Sequence, residues 1–174
     1  MSSIETEPPT PTPTASAASY RPFRERVAED QAQVIAFRLG GELHACDIHL
    51  VEEVVTRRGV HRLPDMPPRL LGVLRLRGEL VPVLDVAPLL DLVLDAERPA
   101  ILVVGFGEAR LGVAADAVEE VLSLTRDAYR PAPLTGGERD QYVVGVARVE
   151  GRLVNLIDLA EMLRGQTTLS GDDR

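Results

Sequence analysis

Apolar and polar residues begin to alternate at residue 33, where Ile35, Phe37 and Leu39 fall on one side of an extended segment and Ala36 and Arg38 on the other. Gly40-Gly41 turns the chain into a second strand over residues 43–48, and Leu50, Val51, Val54 and Val55 carry the spacing of a short helical turn. Leu63-Pro64-Asp65-Met66-Pro67-Pro68 is a loop, because each proline removes a donor and restricts the residue before it. Residues 72–84 read as a hairpin centred on Arg77-Gly78, and Val103-Val104-Gly105-Phe106-Gly107-Glu108 runs from a strand into a turn that returns through residues 111–115. Residues 1–30, opening with Glu7-Pro8-Pro9-Thr10-Pro11-Thr12-Pro13-Thr14, are too poor in large apolar groups to offset ordering entropy. They are expected to form a flexible tail, as are residues 165–174.

The pattern repeats. Residues 72–90, from Gly72-Val73-Leu74-Arg75-Leu76-Arg77-Gly78 through Asp85 to Leu90, return 73 residues later as Gly145-Val146-Ala147-Arg148-Val149-Glu150-Gly151 through Asp158 to Leu163. Nine of the nineteen positions are identical, including both glycines and the aspartate after the second strand. Asp85 and Asp158 each stand where they can cap a short helix. Val51-Glu52-Glu53-Val54 likewise returns as Val118-Glu119-Glu120-Val121, 67 residues on, and both glutamate pairs read as solvated helix faces. A two-copy unit of this length is too long for a solenoid repeat. It predicts an all-β fold of two similar lobes packed side by side, lobe one spanning about 31–92 and lobe two about 97–164, joined by residues 91–98.

Composition narrows the chemistry. Nineteen basic and twenty-seven acidic residues give a net charge of −8, and every basic residue is arginine, so no field exists to hold a nucleic acid. The single cysteine, Cys46, excludes an internal disulfide. No apolar run approaches the roughly 20 residues needed to span a bilayer, and the start of the chain lacks a signal-peptide pattern, so a cytoplasmic protein is expected. The Gly-x-Gly at Gly105 and Gly107 lacks the rest of a dinucleotide fingerprint, because a strand rather than a helix follows it. His44, Cys46 and His49 are close in sequence, but His61 lies beyond a turn and no second cysteine exists to complete a zinc site. Ser123 and Cys46 lack a nucleophile elbow, and Asp85 and Asp158 are better explained as caps than as paired catalytic carboxylates. No catalytic residue, metal or cofactor is therefore expected.

Over residues 33–163 the order of these signals resembles the CheW domain of bacterial chemotaxis. The resemblance rests on Phe37-Arg38-Leu39-Gly40-Gly41-Glu42, Asp47-Ile48, Val51-Glu52-Glu53-Val54, Gly72-Val73, Leu76-Arg77-Gly78 and Val81-Pro82-Val83-Leu84-Asp85. It continues through Gly112-Val113, Asp116-Ala117-Val118, Arg130-Pro131-Ala132-Pro133 and Gly145-Val146. It implies two SH3-like five-stranded β-barrel lobes with short connecting helices, no enzymatic activity, and two partners: the regulatory domain of a histidine kinase and the cytoplasmic tip of a chemoreceptor. It also implies a kinase-facing surface at Glu53, Val54 and Arg77, and a receptor groove lined by Val51, Gly72, Gly112, Val118, Val121 and Gly145. The adaptor would be a monomer when isolated and would be recruited to receptor arrays at the membrane's inner face without inserting into it. His44 stands where the family often has an aromatic residue, Cys46 where a branched aliphatic is common, Arg75 where asparagine often precedes Leu-Arg-Gly, and Ala87 where arginine is frequent. A scaffold of pilus motility or another non-flagellar pathway shares the same pattern. A detached kinase domain does not fit, because the chain has neither an ATP-binding region nor a receiver's aspartate framework. From another class, the alternative is a small enzyme using Cys46 and the histidines.

Overall fold

A computed structural model describes residues 23–27, 32–56 and 59–167. Eleven strands form two sheets. They are β1 (Ala32–Leu39), β2 (Glu42–Asp47), β3 (Val51–Val55), β4 (Leu70–Leu76), β5 (Glu79–Leu84), β6 (Ala100–Phe106), β7 (Ala109–Ala115), β8 (Ala117–Leu124), β9 (Tyr129–Pro131), β10 (Val143–Val149) and β11 (Arg152–Ile157). Two helices, α1 (Phe23–Val27) and α2 (Leu159–Thr167), flank them. The first sheet runs β8-β1-β2-β11-β10-β9 and the second β3-β6-β7-β5-β4. Fold class is thus all-β with two sheets, the first lengthened by the three-residue β9.

The repeat divides the sequence at 92–97, but the sheets do not divide there. Strands β1 and β2 of the first half sit in the first sheet, between β8 and β11 of the second half. Reciprocally, β6 and β7 sit between β3 and β5. Register shows this exchange to be symmetric. Ile35 opposite Val121 matches Leu102 opposite Val54, and Phe37 opposite Val118 matches Val104 opposite Val51, each 67 residues apart. The two parallel pairings also match, Leu156 with Ala45 and Val83 with Gly112.

Exchange explains the apolar pattern. Val34 and Ala36 of β1 enter the first-sheet core with Leu43, Ala45, Leu122, Val154 and Leu156, while Ile35, Phe37 and Leu39 enter a core between the sheets. In the second sheet, Ile101 and Val103 of β6 join Val55, Leu74, Val81 and Val83, while Leu102 and Val104 face the inter-sheet core. The central hairpins are buried on both sides, so β1 shows four consecutive buried residues, 34–37, rather than the alternation of a one-sided strand. Leu159, Met162 and Leu163 of α2 seal the inter-sheet core on one stripe, with Val86, Ala87 and Leu90 from the equivalent place in the first half.

Local chemistry fixes the ends of these elements. Arg77-Gly78 (φ 49° and 84°) and Glu150-Gly151 (φ 50° and 77°) are tight turns of the type that matches strand twist. Asp158 caps α2 by accepting from the Glu161 amide at 3.0 Å, as its position predicted, whereas Asp85 accepts from the Ala87 amide at 3.0 Å but is not the cap of the short 87–90 helix, whose N-cap is Val86. Residues 51–55 form a strand, not the helical turn expected from their spacing, because β6 supplies a ladder of backbone partners. The glutamate pairs therefore lie on strands β3 and β8 rather than on helix faces.

A second correction concerns the tail. Most of residues 1–30 lie outside the described residues, but 23–27 form α1, whose Phe23 and Val27, one helical turn apart, insert into the first-sheet core. Arg26 of this helix pairs with Asp47, whose carboxylate is buried and also accepts from the His49 amide at 3.1 Å. The helix closes a core and neutralises a buried charge. At the other end α2 continues to Thr167, past the expected boundary at 164.

Phe23 is 1% exposed, so Phe23→Ala is expected to cost about 3 to 5 kcal/mol in urea denaturation, whereas truncation at residue 22 is expected to leave the midpoint unchanged. A Phe23→Ala midpoint equal to that of the parent would show the helix to be dispensable.

Candidate interaction surfaces

Strands β3 and β8 present the outward residues that the repeat makes equivalent. Val54 on β3 and Val121 on β8 are 36% and 50% exposed, at matching places on the two sheets. Around them the glutamates are held by arginines. Glu53 meets Arg77 at 3.1 Å and Glu52 meets Arg110 at 2.8 Å, while Arg110 also reaches Glu79 at 3.0 Å. On the first sheet, Glu119 bridges Arg38 at 2.6 Å and Arg152 at 2.9 Å, and Arg152 meets Glu120 at 2.5 Å. Hydrogen bonds from these two arginines, that from Arg38 foremost, hold the Glu119 carboxyl below the usual carboxylate range. Arg110 and Arg152 carry no signal in the linear sequence, because Glu52 and Arg110 are brought together only by strand exchange.

Glu53 and Arg77 stand together as an ion pair with the Arg77 side chain 72% exposed, whereas Val54, the next residue along β3, faces the other side of the strand. Val51 and Val118, equivalent in the repeat, each pack partly against the inter-sheet core, one from β3 and one from β8, with Val121 more exposed on β8. The three glycines do not line that groove. A Cβ on Gly72 would stand 2.4 Å from the His61 carbonyl oxygen and one on Gly145 would stand 2.4 Å from the Arg130 carbonyl oxygen, because in both units a crossing segment pairs directly over the glycine. Gly112 is enclosed within the second sheet, where a Cβ would meet Ile101 at 2.9 Å. All three are buried and serve close packing.

Sequence-level candidates for chemistry are dispersed or enclosed. Gly107-Glu108 is the tip of the β6–β7 hairpin. Cys46 is fully buried in the inter-sheet core, and burial pushes its thiol up to about 12, which removes the thiolate at neutral pH. Ser123 is exposed on β8 opposite Gln33. Among the described residues no three His, Cys, Asp or Glu side chains come together as a metal-binding group. His44 stacks on Phe37 at 6.1 Å between centroids, taking an aromatic's place in the wall of the inter-sheet core. Its burial drives the ring's pKa down to about 4, opposed by Glu42 at 3.6 Å and reinforced by Arg139.

Two interlocked β units carry equivalent exposed surfaces, with their central strands and Cys46 sealed inside. The model of the CheW-like domain matches residues 33–167. The chain is 31% identical over 137 residues to the chemotaxis protein CheW of Klebsiella aerogenes, covering 77% of this chain and 82% of that one. It is 29% identical over 154 residues to the CheW of Helicobacter pylori, covering 86% and 90%. The crystal structure of the scaffolding protein TtCheW from Thermoanaerobacter tengcongensis superposes with a TM-score of 0.66 at 26% identity, covering 75% of this chain and 91% of that one. The chain belongs to the CheW-like domain family and is a CheW-type adaptor, not an enzyme.

Two outcomes follow for the buried wall. His44 titrates at about 6.5 when unfolded and about 4 when folded, so below pH 6.5 the unfolded chain takes up a proton that the native state refuses. Stability is expected to fall by up to about 3 kcal/mol between pH 6.5 and 4 from this residue, and His44→Phe to remove that component in pH-dependent denaturation. Gly72→Ala, at φ 153° and against the His61 carbonyl, is expected to cost at least about 1 to 3 kcal/mol of stability. Unchanged melting with lost partner binding would return Gly72 to the interaction surface.

Proposed function

We propose that this chain is the non-enzymatic coupling adaptor of a chemosensory complex, joining the cytoplasmic tip of a chemoreceptor to the regulatory domain of a chemotaxis-type histidine kinase. The match of the family model across residues 33–167 carries this reading. The kinase surface is Glu53, Val54 and Arg77 at the edge strand β3, where an ion pair that can be re-partnered lies on one face and an exposed valine on the other. The receptor groove is Val51, Val118 and Val121, small branched residues suited to the apolar stripe of a receptor helix. The adaptor acts in the cytoplasm, reaching the receptor array through its partners. No helix among the described residues is long and apolar enough to cross a membrane. Val118 and Val121 lie on β8 of the first sheet and Glu53, Val54 and Arg77 on the second, while Val51 shares β3 with the kinase residues.

Arg77→Glu puts an acid beside Glu53 and removes five donors, and is expected to weaken kinase-domain binding by on the order of 2 to 5 kcal/mol while sparing receptor binding. Val121→Lys places a charge in the groove and is expected to do the reverse. Each variant is titrated against the isolated kinase regulatory domain and a receptor-tip fragment, with circular dichroism as the folding control. Wild-type binding to both partners by both variants would refute the assignment.

A further inference from the structure

The two units are not equally filled. In the first sheet, Phe23 and Val27 of α1 complete the core, packed in one cluster with Val144, which is 1% exposed. In the second sheet, Leu94 packs partly against the core, but no aromatic side chain joins it, since Leu90 sits in the inter-sheet core as its repeat partner Leu163 does. Leu71, the counterpart of Val144, is left half-buried. Beside these residues lies a cavity of about 260 Å³, floored by Val60, Leu71 and Leu94, and open to solvent between the loop at 59–62 and the segment at 94–99.

Its rim is cationic. Arg62 and Arg98 line the opening, and among the described residues neither enters an ion pair, whereas Arg38, Arg77, Arg110, Arg139 and Arg152 are all matched to glutamates. One carboxylate, Glu97, is also present. Arg69, Arg75, Arg126 and Arg148 likewise enter no ion pair among the described residues, so what distinguishes Arg62 and Arg98 is their place around this apolar floor. The volume falls short of the roughly 300 Å³ at which small-molecule sites begin, and fits one large side chain.

We infer that this cavity is a docking site for an acidic segment of a partner protein, which inserts one aromatic or large aliphatic side chain as Phe23 does in the first sheet and lays its flanking carboxylates against Arg62 and Arg98. The unit then closes its second core with a side chain supplied from outside. Bidentate guanidinium-carboxylate pairing fixes the direction of the segment, and the apolar floor selects its anchor. The site is made of residues separate from Glu53, Val54, Arg77 and Val121, and the inference stands whether or not those surfaces bind kinase and receptor.

The test uses the full chain and the pentapeptide acetyl-Glu-Asp-Phe-Glu-Glu-amide, followed by backbone amide chemical shifts. Saturable shifts centred on residues 59–62 and 94–99 are expected. Replacing the peptide's phenylalanine by alanine, or its acids by their amides, is expected to weaken binding at least tenfold, as is Arg62→Glu with Arg98→Glu. Ala96→Phe, which fills the cavity without touching its charge, is expected to block the peptide too, with an unchanged melting temperature checking the fold of both variants. Absence of saturable shifts, or equal binding to the charge-reversed protein, overturns the proposal. A dimer in sedimentation that the charge reversal dissolves would give the cavity to a second copy of the chain and overturn the partner reading.

Discussion

Two-sided burial of the central hairpins is the constraint on which the remaining structure depends. β1 and β2 separate the first-sheet core from the inter-sheet core, and β6 and β7 separate the second-sheet core from the same middle layer. Each hairpin comes from one half of the chain and is flanked by strands of the other. Neither half can therefore close a core alone: without β8 and β11, the hairpin of β1 and β2 loses both edge partners and exposes both faces. Folding is expected to be one cooperative event rather than two. Middle-layer residues such as Phe37, Leu102 and Met162 must fit neighbours from both halves at once.

Surface charge follows the same topology. The pairs of Arg38 with Glu119 and of Glu52 with Arg110 each join residues of opposite halves. Individually such exposed pairs contribute on the order of 0 to 1 kcal/mol, so they are not what holds the halves together. Their effect is on register, because a slip of one residue would part Arg38 from Glu119 across β1 and β8. Asp47 is the exception in depth, a buried carboxylate that needs Arg26, and this ties α1 to the sheet more firmly than its five residues would suggest.

Most of the local architecture was legible in the residues. The repeat gave the two-unit plan, Arg77-Gly78 and Glu150-Gly151 gave the turns, and Asp158 gave the cap of α2, since each depends on a few adjacent positions, while Asp85 bonds the Ala87 amide without capping the short helix that follows. What was not legible depends on distant chain. Val51-Glu52-Glu53-Val54-Val55 suits a helical turn or a strand, and only pairing with β6 decides between them. Phe23 and Val27 are two apolar residues in a polar stretch, too few for a periodic signal, yet sufficient to cap a core that is already formed. The glycines at 72 and 145 were read as room for a partner, whereas the room is taken by the chain's own crossing segments. The grouping of Glu53 with Arg77 was expected only from the family resemblance, and in the structure the two side chains meet at 3.1 Å.

Because the two units share backbone and register, difference in what they bind must come from side chains, and the hairpin turns show where. The second sheet presents Arg77-Gly78-Glu79 and the first presents Glu150-Gly151-Arg152, the same turn with the order of charge reversed. Arg77 meets Glu53 on β3, whereas in the equivalent unit the contact to Glu120 on β8 comes from Arg152, on the other side of the turn. A partner whose charges complement one turn meets like charges at the other, which costs more than either attractive contact gains. The exposed valines at 54 and 121 are equivalent and cannot discriminate by themselves. Duplication thus supplies two copies of one apolar platform, told apart by the reversal of charge at their turns.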